Sequence, residues 1–93
     1  MGKYLIEYTE TAVKELMKHK KAGNKSTLEK ISRIILELEN HPYTGIGQPE
    51  QLKHSLKGFW SRRINQKDRI VYCVEEDKVI VEVVSAMGHY SDK

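Results

Sequence analysis

Phe59-Trp60-Ser61-Arg62-Arg63-Ile64, then Arg69-Ile70-Val71-Tyr72-Cys73-Val74-Glu75, then Val79-Ile80-Val81-Glu82-Val83-Val84-Ser85-Ala86 are three branched and aromatic runs in series. Only the short polar segments Asn65-Gln66-Lys67-Asp68 and Glu76-Asp77-Lys78 separate them. Such side chains fit a pleated, half-buried surface, and polar segments of this length close hairpins. The runs therefore predict three consecutive antiparallel strands. Alternation puts Phe59, Ser61 and Arg63 on one face and Trp60, Arg62 and Ile64 on the other. The second set is the more apolar and is expected to meet the helices, with Arg62 at an edge.

Upstream, Tyr4 to Tyr8 has strand composition. Thr9 or Thr11 offers an N-cap for a helix through about Lys21, carrying Ala12, Val13, Leu16 and Met17 at helical spacing. Lys18, His19, Lys20 and Lys21 suit the negative end of that helix, His19 as a solvated last-turn residue, and Gly23 suits its stop. Ser26-Thr27-Leu28-Glu29 reads as a capping box opening a second helix. Its stripe Leu28, Ile31, Ile34, Ile35 and Leu38 is core, and Asn40-His41-Pro42 ends it. From Pro42 to Gln51 the composition is that of a loop; Gly45-Ile46-Gly47 has neither the preceding strand nor the following helix of a nucleotide fingerprint. The order β-α-α-β-β-β predicts an α+β fold: two N-terminal helices packed on one face of a small antiparallel sheet, in a single domain over residues 1–93.

Sixteen Lys and Arg against thirteen Asp and Glu leave a net charge of +3, which is mild, but the charge is uneven. Residues 51–63 hold Lys53, Lys57, Arg62, Arg63 and the titratable His54 with no acid, the clustering that phosphate binding needs. No signal-peptide pattern or bilayer-spanning apolar run is present, so a cytoplasmic location and no membrane partner are expected. The single Cys73 excludes an internal disulfide framework and lies in an apolar run, as a structural thiol does. The histidines at 19, 41, 54 and 89 lack metal-ligand spacing, so neither a metal nor another cofactor is expected.

Outside the apolar stripes stand the carboxylate of Glu50, the cations Lys53, Arg63 and Arg69, and the imidazole of His89 beside Tyr90. Metal-free RNA cleavage needs such parts: a base for the 2'-hydroxyl, cations for the phosphorane and an acid for the leaving oxygen. Directly paired residues of an antiparallel hairpin share a face. A regular four-residue loop from Asn65 to Asp68 would pair Ile64 with Arg69 and place Arg62 on the Arg69 side. An odd-length or bulged turn is therefore required for Arg63 and Arg69 to act together.

Across residues 49–72, Pro-Glu-x-Leu-Lys-His-x-Leu-x-Gly-x-Trp-Ser-Arg-Arg-Ile followed by Arg-Ile-Val-Tyr, and again at His89-Tyr90, the chain resembles the RelE/ParE superfamily of bacterial toxins, specifically its YoeB/Txe branch. The resemblance implies a RelE-like microbial RNase fold and a ribosome-dependent mRNA endonuclease acting in the ribosomal A site. It further implies a cognate Phd/YefM-like antitoxin, with a homodimer as a possible state. It assigns Glu50 as general base, His89 as general acid, and Arg69 and Arg63 as phosphate and transition-state ligands. Lys53, His54, Tyr90 and Arg62 would contact or support the RNA. A non-nucleolytic ParE-like topoisomerase inhibitor and a decayed RNA- or protein-binding module are the rival expectations. Cleavage of mRNA in a translating lysate separates both from the nuclease.

Overall fold

The computed structural model describes residues 2–88. Two helices cover one face of a five-stranded sheet. Strand β1 (Leu5–Tyr8) is followed by α1 (Glu10–Ala22) and α2 (Lys25–Leu38). A short β2 (Glu50–Gln51), a 3-10 turn (His54–Leu56), β3 (Phe59–Arg63), β4 (Arg69–Glu75) and β5 (Ile80–Ser85) follow within the described residues. The strand order is β1-β5-β4-β3-β2. The three expected strands pair antiparallel, as do β2 and β3, whereas β1 pairs parallel to β5, Leu5 opposite Ile80 and Tyr8 opposite Val83. The expected α+β fold is present, and its sheet is mostly antiparallel, with β1 parallel to β5. Everything from α1 to β4 forms the crossover between the two parallel neighbours, so local sequence carries no signal of that pairing.

Both helices begin at polar caps. Thr9 Oγ1 accepts from Ala12 N at 3.1 Å, and α1 stops at Gly23, whose φ of 73 is left-handed. Asn24, immediately after that glycine, caps α2 by accepting from Thr27 N at 3.1 Å. The expected capping box at Ser26 is therefore displaced by two residues: the Ser26 hydroxyl donates to Asn24 Oδ1 instead.

The core lies between the helices and the sheet. Ile31, Ile34 and Leu38 of α2 and Ala12 of α1 pack with Ile64, Ile70, Tyr72, Val81 and Val83. Burying each such aliphatic or aromatic side chain contributes roughly 1.5–3 kcal/mol. His19 is corrected from a solvated residue to a buried one, its Nε2 bonded to Ala86 O at 2.7 Å. A carbonyl only accepts, so Nε2 carries the proton. Among the described residues, no helix is long and apolar enough to cross a membrane.

Candidate functional site at the open face of the sheet

Glu50 is held by backbone that sequence composition assigned to a loop. It opens β2, pairing with Ser61 while Gln51 pairs with Trp60, so β3 gains a short outer neighbour. Two contacts fix that neighbour. Leu52 N donates to Phe59 O at 2.9 Å, with the Leu52 side chain buried, and Arg63 N donates to Gly47 O. Gly47 has φ 82, and a Cβ there would lie 2.9 Å from Arg63 O and 3.1 Å from Arg62 Cβ. Only glycine lets the chain lie that close to β3 in that conformation.

Arg69, at the start of β4, reaches back across β3. Its Nη1 lies 3.2 Å from Glu50 Oε1 and 3.2 Å from Ser61 Oγ. The Arg69 side chain is 20% exposed and that of Glu50 61%, so the pair faces solvent with the carboxylate outermost. Arg63 pairs directly with Arg69 and is exposed. The odd-length connection required for that register is present: Ile64–Asp68, five residues, separate the paired arginines. Asn65 shapes the turn, its Oδ1 accepting from Lys67 N at 2.9 Å and Asp68 N at 2.8 Å. Ser61, Arg63 and Arg69 thus lie on the face opposite Ile64, Ile70 and Tyr72, away from the helices.

Arg62 requires correction. It is neither at an edge nor on an RNA-accessible surface; its exposure is 0%. It lies on the helix-facing side of β3, where every donor is used internally. Nε bonds Tyr72 Oη at 3.1 Å, and Nη1 bonds Glu37 Oε1 at 2.8 Å and Ile46 O at 3.4 Å. Nη2 bonds Thr44 O at 2.8 Å and also His41 O. Tyr72 Oη in turn donates to Pro42 O at 2.6 Å, and Glu37 Oε1 accepts from Ile46 N at 2.9 Å. The carbonyls of the 41–47 segment therefore converge on one buried guanidinium. Burial raises the Tyr72 hydroxyl above its ordinary range, against a lowering by neighbouring Arg62. This cation tethers the loop that leads to Glu50.

Lys53, His54 and Lys57 are exposed and follow β2 around the 3-10 turn, lining a shallow depression with Gln51 and Leu52. They lie toward the Phe59 end of β3, beyond Glu50 and Gln51. Trp60 is half-buried and packs at a tilt on Tyr43, with ring centroids 5.1 Å apart. Cys73 is half-buried, and burial first, then Glu82 and Glu75, raises its thiol above the ordinary value. That environment disfavours the nucleophilic thiolate. His89 and Tyr90 lie outside the described residues. Gly88 O, however, accepts from Arg69 N at 2.8 Å, so the backbone entering His89 leaves from beside Arg69. Two contributors were missed in the sequence: Ser61, the partner of Arg69, and Glu37, the partner of Arg62. Strand alternation could have found Ser61; Glu37 carried no signal. Among the described residues, no three His, Cys, Asp or Glu side chains gather closely enough to hold a metal ion.

A carboxylate and a guanidinium at hydrogen-bonding distance, with a second exposed guanidinium in register, can abstract a proton and hold a phosphate within one patch. The chain as a whole is similar to known proteins of one family. The family described as "YoeB-like toxin of bacterial type II toxin-antitoxin system" matches residues 8–90. Toxin YoeB of Escherichia coli O6:H1 is 45% identical over 58 residues, covering 62% of this chain and 69% of that protein. A YoeB/ParE toxin from Agrobacterium tumefaciens superposes with a TM-score of 0.82 at 30% identity, covering 92% of this chain and 99% of that one. YoeB from Staphylococcus aureus superposes as a dimer at 0.78, with 31% identity and coverage of 95% and 99%. In its YoeB-YefM complex the TM-score is 0.76, with 32% identity and coverage of 94% and 98%.

Proposed function

Because the chain belongs to the family of YoeB-like toxins of bacterial type II toxin-antitoxin systems, we propose that it is a ribosome-dependent endoribonuclease that cuts mRNA in the A site and so arrests translation. Glu50 takes the proton of the 2'-hydroxyl, whose oxygen attacks the adjacent phosphorus in line. Arg69 and Arg63 neutralise the phosphorane, and Lys53 and His54 hold the flanking backbone. The P–O5' bond breaks, and His89 donates the proton that the leaving 5'-oxygen takes up; Tyr90 positions the RNA. The products are a 2',3'-cyclic phosphate and a 5'-hydroxyl, with no metal or cofactor taking part. DNA lacks the attacking group and is not cut.

The observation that carries this reading is the 3.2 Å contact between Arg69 Nη1 and Glu50 Oε1, with Arg63 in register beside it. Here the guanidinium bonds the base itself. A phosphate brings two or more oxygens to the same donors, and bidentate guanidinium–phosphate geometry lets it replace that contact. An acidic, YefM-like antitoxin segment would compete for the same cations; the YoeB-YefM complex of S. aureus is a precedent for an antitoxin partner. Self-association into a dimer has a precedent in the YoeB dimer from that organism. Both partners act in the cytoplasm.

The test is cleavage of a defined mRNA on programmed ribosomes, with product ends mapped chemically. Glu50→Gln should lower the rate by ~10²–10⁴, the usual loss for a general base, while the fold is kept. Equal cleavage by Glu50→Gln and the wild type would overturn the assignment. Absence of ribosome-dependent cleavage by the wild type would overturn the activity.

A further inference from the structure

Strand β5 ends at Ser85, yet the next three residues do not leave the molecule free. Glu15 Oε1 accepts from Ala86 N at 2.7 Å and from Met87 N at 3.1 Å. Asp68 Oδ1 accepts from Gly88 N at 2.9 Å. Three consecutive amides outside the sheet are therefore held by two carboxylates. The carbonyls are held too: Ala86 O by His19 Nε2 at 2.7 Å and Gly88 O by Arg69 N at 2.8 Å. Glu15 and His19 are one turn apart on α1, so one helix face supplies two of the clasps. Asp68 is buried, 7% exposed, and its second oxygen accepts from Asn65 Nδ2 at 3.1 Å. The turn that sets the Arg63–Arg69 register thus also grips the residue preceding His89.

We propose that Asp68, seconded by Glu15, is a positioning residue for the cleavage reaction: it fixes the Gly88 amide beside Arg69, so that the chain enters His89 from a defined point of the site. The inference rests on the nuclease reading above. Asp68 touches no reacting atom. Gly88 has φ 74, a conformation that costs glycine little but leaves its backbone free to turn, and consecutive Cα atoms are only ~3.8 Å apart. The Asp68 contact holds that glycine amide in place, and losing it frees the point from which the chain enters His89. Misplacing a reacting group by about 1 Å can cost about 10²-fold in rate.

The variants are Asp68→Ala and the exchange pair Asn65→Asp with Asp68→Asn. In the exchange pair the carboxylate moved to position 65 would still accept from the backbone amides of positions 67 and 68. The side-chain amide moved to position 68 would donate to that carboxylate and accept from Gly88 N, so both bonds are rebuilt. Trp60 fluorescence first establishes a temperature at which every variant is folded. There, Asp68→Ala should speed hydrogen exchange of the Gly88 amide. It should lower kcat about 10²-fold with KM for the programmed ribosome unchanged, and cost nothing further on a His89→Ala background. The exchange pair should restore both readouts. An unchanged kcat in folded Asp68→Ala, or a loss that adds in full to that of His89→Ala, would overturn the proposal. A wild type that does not cleave would instead refute the nuclease reading, and Gly88 exchange alone would then decide whether Asp68 anchors the tail.

Discussion

Arg62→Met should cost the fold about 3–5 kcal/mol, whereas Arg69→Met should cost about 1 kcal/mol or less. The two arginines belong to neighbouring strands and differ in burial: the Arg62 side chain is 0% exposed and the Arg69 side chain 20%. Methionine keeps the unbranched stem of Arg62 but no donor. Its substitution would strip partners from Tyr72 Oη, Glu37 and the carbonyls of His41, Thr44 and Ile46. Each bond to a charged donor contributes roughly 1.5–3 kcal/mol. The sum overstates the loss, because Glu37 is 29% exposed and still bonds Ile46 N, so water recovers part of it. Removing one partner of a buried pair typically costs about 3–5 kcal/mol, a large share of the ~5–15 kcal/mol that holds a small domain together. At ~4–8 °C per kcal/mol for a chain of this size, the midpoint should fall by at least about 12 °C. Arg62→Lys should recover only part, since one ammonium cannot reach all five acceptors. Urea unfolding of wild type, Arg62→Met and Arg69→Met, followed by far-ultraviolet circular dichroism, measures the contrast. Trp60, packed on Tyr43, reports separately on the tethered loop. An Arg62→Met stability within about 1 kcal/mol of wild type would refute the claim that this cation holds the 41–47 segment. An Arg69→Met loss as large as that of Arg62→Met would refute the division between structural and phosphate-binding cations.

Gly47→Ala should disturb the site far more than Gly23→Ala. At position 47 the new Cβ meets the β3 backbone, whereas at 23 it meets nothing and costs only the left-handed φ, about 1 kcal/mol. Trp60 fluorescence and cleavage rate should both change for Gly47→Ala and neither for Gly23→Ala. Stability should show a plateau with an acid arm and an alkaline arm. The Tyr43 hydroxyl first, then that of Tyr4, holds the Glu76 carboxyl below its ordinary value. A depressed folded pKa gives stability that is full above the unfolded value and is lost as pH falls through the folded one. Glu76→Gln should flatten this acid arm in a pH series of urea midpoints, and an unaltered arm would contradict the assignment. The raised Tyr72 hydroxyl acts with the opposite sign: its contribution is full below the ordinary 10.0 and is lost as pH rises through the folded value, visible as tyrosinate absorbance appearing with unfolding. Cys73, with its raised thiol, should alkylate more slowly at neutral pH than a free thiol. Rapid modification of the folded protein would contradict that reading.

Local patterning by itself determined the two helices and the strands β1, β3, β4 and β5. Branched runs of period two, the stripe Leu28 to Leu38, Thr9 and Gly23 each act within a few residues, through side-chain packing and capping that neighbouring sequence supplies. Glu50, Arg63, Arg69 and Lys53 were legible as an exposed chemical set because they fall outside those patterns, and counting the residues of the hairpin showed what turn length the two arginines required. Alternation put Arg62 on the helix-facing side, but tertiary structure alone decided that it is fully buried and saturated there rather than at an edge. Arg62 and Arg63 are adjacent and chemically identical; the pleat turns one inward, where Glu37, 25 residues away, and five groups in all saturate it. It alone decided that β1 lies parallel to β5, that His19 is buried under Ala86, and that Glu50 stands in a strand rather than a loop. Each of these depends on a partner distant in sequence, and no local propensity encodes a contact whose two halves meet only when the chain has closed on itself.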